Sequence, residues 1–306
     1  MRDEPERIKV IRFGLCCIFR DEPIKFHRTT ATAVGKMDRL SGLQKINDLC
    51  KENAQSLLKA LEFCVNQNIG NFRVSSAILP LKTHPVLGYK IEDLPESEHI
   101  VSLFKKAGEY ARLNNIRTCF HPDQFVVLSS QKPDVVVQSL NEIEYQAEVS
   151  EWINGDVVNI HGGGAYGDKQ KALSDFSRSV ELLSERARTR LTVENDDKVY
   201  TPSDLLPICS NLGIPLVYDV HHHRCNKDDT TIEQATDRAL GTWNREPMFH
   251  LSSPIEGWAG PKQLRHHDFI NIKDFPECWK NLNITVEVEA KAKEVAILQL
   301  QKELKK

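Results

Sequence analysis

Hydrophobic and polar positions follow two recurring patterns along this chain. Short runs rich in β-branched residues predict strands, and the segments between them repeat apolar residues every three or four positions, as helices do. The strand-like runs cover residues 8–19, 71–79, 117–121, 156–161, 190–194, 215–219, 247–251 and 283–289. Strand and helix alternating eight times predicts a parallel sheet that can close on itself. We therefore expect an α/β fold, a single (β/α)8 TIM barrel over residues 1–306, with an open doubly wound sheet as the alternative.

The connection after the first predicted strand is long and polar, and it covers residues 20–42. Long connections in compact domains usually serve a function. Catalytic groups of this fold collect at the carboxyl ends of the strands. We therefore expect residues 20–42 to form a functional loop over this mouth of the barrel.

Composition and charge narrow the classes of function. The 306 residues carry a formal net charge of −3, so binding to nucleic acid would need a local basic patch or bound cations. The chain begins with charged residues and contains no run of about 18 apolar residues, which predicts a cytoplasmic protein that does not enter a membrane. The eight cysteines form no CxxC pair, which favours free thiols over disulfides.

Chemically useful side chains stand at the ends of six successive predicted strands. They are His121, His161, Glu194, Asp219, His250 and the pair Glu287 and Glu289. The carboxyl ends of barrel strands converge, so these residues become neighbours. Crowded carboxylates and imidazoles suit divalent cations, and so many ligands need more than one ion. In the run His221 to His223, neighbouring residues of an extended strand point to opposite faces, so at most two of the three should reach one metal site.

Two loops at the predicted mouth leave alternatives open. After the third strand, Gln124 and Phe125 place an amide beside an aromatic ring. Such a pair can wedge into stacked bases, or Phe125 can plug the core beneath the loop. After His161, the run Gly162 to Gly164 is either a flexible turn or a place where a substrate backbone approaches closely.

Nine motifs in order along nearly the whole chain resemble those of the UV-damage endonucleases, which are relatives of the barrel-fold apurinic endonucleases. They read RFG, FRVSSAILPLKTH, FHPDQFVVL, VVNIHGGGAYGDK, LTVENDD, YDVHHHR, FHLSSP, RHHDFI and VEVEAKAKE. The resemblance implies two or three divalent metal ions, typically manganese. It also implies hydrolysis of the phosphodiester 5′ to a lesion in damaged double-stranded DNA.

The resemblance also implies roles for single residues. His84 resembles a catalytic residue close to the scissile phosphate, and Gln124 with Phe125 resembles the pair that probes the lesion. Glu194 is implied to be both catalytic and a metal ligand. The full set of implied ligands is His121, His161, Glu194, Asp219, His222, His250, His266 and Glu289.

The chain departs from the family pattern at four positions. Leu15 stands where a tyrosine is usual and Phe19 where an asparagine is usual, and Phe125 lacks the usual tyrosine hydroxyl. Met248 replaces a lysine that can be carboxylated to bind metal. Strand alternation places Met248 on the inward face with His250, where a thioether offers no hard donor. We therefore expect a weakly bound third ion, for which Asp268 is the nearest replacement carboxylate.

Two other functions fit the strand-end pattern. A two-metal sugar isomerase or epimerase shares the barrel and its ligands, but it would need a closed, sugar-sized pocket rather than an open groove. A noncatalytic nucleic-acid-binding or metal-binding relative would keep the same shell without cutting DNA.

Overall fold

The computed structural model describes residues 11–305, and these residues form a closed barrel of eight parallel strands. The predicted TIM barrel is therefore confirmed, and neighbours in the barrel follow chain order from β1 to β8. Predicted residues 8–10 of the first strand lie outside the described part. The strands are β1 Arg12–Cys16, β2 Asn71–Val74, β3 Arg117–Phe120, β4 Val157–His161, β5 Leu191–Glu194, β6 Leu216–Asp219, β7 Met248–Leu251 and β8 Thr285–Val288.

Helices surround the barrel, and their ends carry the expected signals. Pro133 opens α4, and Thr201 caps α7 by accepting a hydrogen bond from the backbone of Asp204. None of the helices between residues 11 and 305 has the length and apolar character needed to cross a membrane. The helices are α1 Ala31–Val34, α2 Arg39–Asn66, α3 Ser97–Leu113, α4 Pro133–Ile153, α5 Lys169–Glu181, α6 Glu185–Arg188, α7 Pro202–Leu212, α8 Val220–Cys225, α9 Ile232–Leu240 and α10 Glu294–Leu304.

The apolar core lies between the barrel and its helices. Leu15 on β1 is fully buried there, next to Phe72 of β2 in the strand register. The ring of Phe19 stacks on Phe72 at 6.0 Å and meets Phe63 of α2 edge-on at 5.2 Å. Of the departures from the family pattern, Leu15 is therefore a core residue, and the half-buried Phe19 packs against the core.

The inside of the barrel is partly polar. Asn71 and Cys119 both donate hydrogen bonds to Glu287 Oε1, at 3.0 and 3.1 Å. Below them, Met248 is fully buried and packs against Cys119 and Val157, as strand alternation predicted. This layer supports the mouth and presents no hard metal ligand at position 248.

Residues 20–42 are held at the mouth by buried side chains, although part of this segment is helical. The predicted loop includes α1, and α2 already begins at Arg39, because Asp38 caps its first turn. The carboxylate of Glu294 on α10 is buried and accepts hydrogen bonds from the backbone N–H groups of Arg20, Asp21 and Glu22. Farther along the segment, Arg28 donates to Ser75 Oγ at 3.2 Å, just beyond the end of β2. A functional role for the segment stays a prediction.

The Glu294 anchor predicts a loss of stability in the variant Glu294→Ala. Removing the carboxylate leaves backbone donors without their acceptor, which should cost about 1–3 kcal/mol. Urea unfolding should show a lower midpoint than for Glu62→Ala, a control on an exposed position of α2. Equal midpoints for the two variants would mean that the anchor contributes nothing.

Candidate metal centre

The carboxylate of Glu194, at the end of β5, is surrounded by imidazole rings. Its Oε2 lies 3.0 Å from His121 Nε2. Its Oε1 lies 3.2 Å from His222 Nδ1 and 3.1 Å from His250 Nδ1. The side chain is fully buried, so its negative charge depends entirely on these neighbours and on a hydrogen bond from Asn159 Nδ2 at 2.6 Å.

Three overlapping groups of side chains could each hold a metal ion, with ligand atoms within 4.8 Å of one another. The strand ends bring these groups together, as the convergence argument predicted. Seven of the eight predicted ligands belong to them. The groups are His121, His161 and Glu194; His121, His250 and Glu289; and Glu194, Asp219 and His222.

The eighth predicted ligand, His266, lies at the edge of these groups. Its Nδ1 is 3.8 Å from Glu289 Oε2, and its ring is 6.5 Å from that of His222. Asp268, the suggested replacement carboxylate, is exposed and belongs to none of the three groups among residues 11–305. The region where a third ion was expected is thus poorer in ligands than the region around Glu194.

Unpaired polar atoms indicate that these residues fit divalent cations. Within the described residues, five buried nitrogen and oxygen atoms of the predicted ligands make no hydrogen bond of acceptable geometry: His121 Nδ1, His161 Nδ1, Glu194 Oε1, Asp219 Oδ2 and His250 Nδ1. Burying a polar atom without a partner is costly, and nitrogen and oxygen donors of this kind are ligands that divalent metals accept. Coordination of divalent cations by these residues would offset the cost of burying such atoms.

The electrostatics of the cluster keep its central carboxylate ionised. Burial alone would raise the pKa of Glu194, but His250, His161 and hydrogen bonds from other imidazoles hold this pKa well below its usual range. Burial lowers the pKa of His161. Burial also acts to lower the pKa of His250, but Glu194 and Glu287 together outweigh it and raise the value to about 10.

Sequence reasoning missed the side chains that orient His250 and Glu289. Arg73 on β2 is only 7% exposed, and its Nε donates to Glu287 Oε2 at 2.8 Å. Its Nη1 lies 2.7 Å from Glu289 Oε1. Glu287 Oε2 is also 2.9 Å from His250 Nε2, which turns the other ring nitrogen, Nδ1, toward Glu194. Strand alternation offered a signal, because Arg73 shares the inward face of β2 with Asn71.

The strand geometry assumed for residues His221 to His223 is wrong. These residues belong to α8, because the side chain of Asp219 caps a helix directly after β6. Of the three, His222 alone belongs to a candidate metal group in the described structure. His223 instead contacts Tyr218 and Asp228, and the ring of His221 lies 5.1 Å from that of Trp258.

The three predicted residues outside the cluster lie on loops near the mouth. Gln124 is exposed, and Phe125 is 75% exposed, so Phe125 does not plug the core. His84 Nδ1 accepts hydrogen bonds from the backbone N–H groups of Val86 and Leu87. The described structure does not bring His84 into any of the three metal groups.

In the glycine run after β4, the backbone conformation and close packing at position 163 require glycine. Its φ is +86°, and a Cβ at this position would lie 2.5 Å from Ser129 Oγ. Ser129 Oγ also donates to the carbonyl of Gly162 at 3.1 Å. The glycine therefore lets this loop pack tightly against the loop that carries Phe125.

Known proteins resemble this chain in sequence and in fold. A family model described as UV-endonuclease UvdE matches residues 11–306. The UV DNA damage endonuclease of Bacillus thuringiensis subsp. konkukian is 33% identical over 290 residues, which cover 90% of this chain and 88% of that protein. The crystal structure of SacUVDE has a TM-score of 0.86 and 26% identity, and the match covers 97% of this chain and 98% of that one. Endonuclease IV from Thermus thermophilus shares the fold, with a TM-score of 0.62 at 13% identity over 96% of this chain and 99% of that one. The chain therefore belongs to the UV-endonuclease UvdE family.

Proposed function

We propose that this protein is a metal-dependent DNA repair endonuclease. It hydrolyses the phosphodiester 5′ to an ultraviolet photoproduct or a related lesion in double-stranded DNA. The observation that carries the proposal is the set of three candidate metal groups around Glu194 at the mouth of the barrel. Membership of the UvdE family supports the endonuclease, and relatives of this chain carry the name UV DNA damage endonuclease.

The cluster is proposed to hold two divalent ions firmly and a third more weakly, with manganese as the metal. Bound ions of this kind supply an activated water at neutral pH and neutralise charge on the phosphate. Glu194 belongs to two of the groups, and its two oxygens can serve both. His222 and His266 would hold the third ion, and neither position 248, a methionine, nor the exposed Asp268 adds a carboxylate of its own there.

Bound metal ions would also allow this acidic protein to bind DNA, which is a polyanion. The chain carries a formal charge of −3, and DNA repels an acidic surface. Two or three divalent ions at the mouth outweigh this charge where the phosphate must approach. His84 is proposed to lie near the scissile phosphate, and Gln124 with Phe125 to enter the base stack at the lesion.

The endonuclease is favoured over the two alternatives. A sugar isomerase or epimerase would share the fold, but family membership points to the endonucleases. A noncatalytic relative could keep the same ligand atoms, so the measurement that distinguishes it is cleavage of DNA. Incubating the protein and manganese with a duplex that carries one photoproduct, one abasic site or no lesion, and then mapping the cut, separates the endonuclease from both alternatives.

Replacing Glu194 with glutamine should reduce cleavage of the photoproduct duplex more than tenfold. The amide keeps the shape of the side chain but lacks the negative charge with which Glu194 would hold divalent cations, and metal catalysis contributes several kcal/mol. Initial rates with manganese should be compared with those of Glu62→Gln, which changes an exposed glutamate on α2. A circular dichroism spectrum unchanged from wild type checks the fold. Cleavage above about a tenth of the wild-type rate would exclude the assigned role.

Replacing Phe125 with alanine should weaken binding to a lesion duplex by about 1–3 kcal/mol, which is the usual contribution of an aromatic ring stacked on a base. Binding to an undamaged duplex should change much less, because its bases remain stacked. Fluorescence anisotropy gives both affinities, and Leu182→Ala controls for the loss of an exposed apolar side chain. Unchanged affinity for both duplexes would contradict insertion of Phe125.

Metal binding at neutral pH should release protons. Because its pKa is raised to about 10, His250 is protonated at pH 7 in the metal-free protein, and a nitrogen that binds metal must lose its proton. Manganese affinity should therefore rise with pH up to about this pKa. Calorimetric titration in two buffers of different ionisation enthalpy measures the release, and the third ion should appear as a separate, weaker step. Equal binding heats in the two buffers would show that metal binding releases no proton, and would contradict the deprotonation of His250.

A further inference from the structure

A pocket of about 580 Å³ opens beside the candidate metal centre, on the side of β8 and β1. Its wall includes two residues of the centre, His266 and Glu289. The rest of the wall comes from the end of β1, the segment that contains Arg28, Arg73 of β2, residues 264–265 in the loop between β7 and β8, and the chain just after β8. The pocket is therefore continuous with the mouth and distinct from the loop that carries Gln124 and Phe125, which follows β3.

The wall of this pocket is strongly basic. Arg73, which is paired with Glu287 and Glu289, lines it from β2. Four further cationic side chains complete the basic wall: Arg28, Arg265, Lys291 and Lys293. None of them lies within 4.0 Å of a carboxylate among residues 11–305. The one carboxylate in the wall, Glu289, is already paired with Arg73. In a chain with a net charge of −3, these free cations form a local patch that attracts anions.

The same wall also exposes apolar surface. Ile18 is 47% exposed and Leu264 is 43% exposed, although most large aliphatic side chains of this protein are buried. Cations beside exposed aliphatic groups match a ligand that joins phosphates to less polar sugar rings. Lys293 also holds an unusual backbone conformation, with φ of +52°, next to the pocket. Such conformations in residues other than glycine cost energy and occur often at functional sites.

We propose that this pocket binds the sugar–phosphate backbone of a DNA strand through Arg28, Arg265, Lys291 and Lys293. The proposal rests on the proposed function and names a contact surface for it. A strand that contacts both this pocket and the loop after β3 must cross the metal centre, because His121 and Glu289 from the two sides belong to the same metal group. Backbone contacts do not depend on sequence or damage, so this pocket would grip any duplex, whereas Gln124 and Phe125 respond to the lesion.

The test measures how DNA binding depends on salt for Arg28→Gln, Arg265→Gln and Lys291→Gln. Each lost phosphate contact should lower the slope of log affinity against log salt by about 0.9. Between 50 and 200 mM salt, each variant should therefore lose about threefold less affinity than the wild type. Anisotropy with the manganese-loaded protein and an undamaged duplex gives these slopes. Lys106→Gln, an exposed lysine on the outer helix α3, should keep the wild-type slope.

Cleavage of a photoproduct duplex provides the second measurement. Because the pocket is proposed to bind and not to react, KM should rise in the three variants while kcat stays within about twofold of wild type. Slopes equal to that of Lys106→Gln, or a loss of affinity confined to the damaged duplex, would overturn the proposal. Failure of the proposed function is distinguishable, because a wild-type protein that binds DNA but cuts no duplex would still report the salt slopes.

Discussion

The buried negative charge of Glu194 is the constraint around which the mouth of this barrel is organised. A carboxylate with no exposure to water is stable only where cations or hydrogen-bond donors surround it. Here, imidazoles from β3, β7 and α8 approach its two oxygens, while Asn159 of β4 donates from the neighbouring strand. Each of these elements therefore has a fixed position relative to β5, which gives a site drawn from distant parts of the sequence one defined geometry.

A second layer of charges holds this arrangement from below. Arg73 brings a permanent positive charge into the barrel, where it faces Glu287 and Glu289. Removing one partner from such a buried ion pair is strongly destabilising. The pairs therefore fix the positions of Arg73, Glu287 and Glu289 relative to one another. One oxygen of Glu289 faces Arg73, and the other lies toward His266. The guanidinium thus leaves the second oxygen of Glu289 as the one turned toward the open mouth.

Sequence patterns predicted the barrel and most of the cluster for one physical reason. The ends of parallel strands meet, so His121, His161, Glu194, Asp219 and His250 could be grouped without knowing any distance. Arg73 escaped notice because a charged residue in a strand normally indicates solvent, and only its nonlocal partner on β8 stabilises it inside. The three histidines after Asp219 were placed on a strand because the switch to α8 depends on a capping hydrogen bond.

The contact between Glu294 and the backbone of residues 20–22 joins the last helix of the chain to the segment after the first strand, at the mouth of the barrel. β8 also pairs with β1, so the last strand and the last helix complete a surface that the first strand began. During synthesis, residues from β3 onward emerge long before their partners on β8, and contacts so distant in sequence form late. Glu287 orients His250 toward Glu194, and Glu287 leaves the ribosome only when nearly the whole chain has been made. The candidate metal centre of this protein is therefore incomplete until the barrel closes.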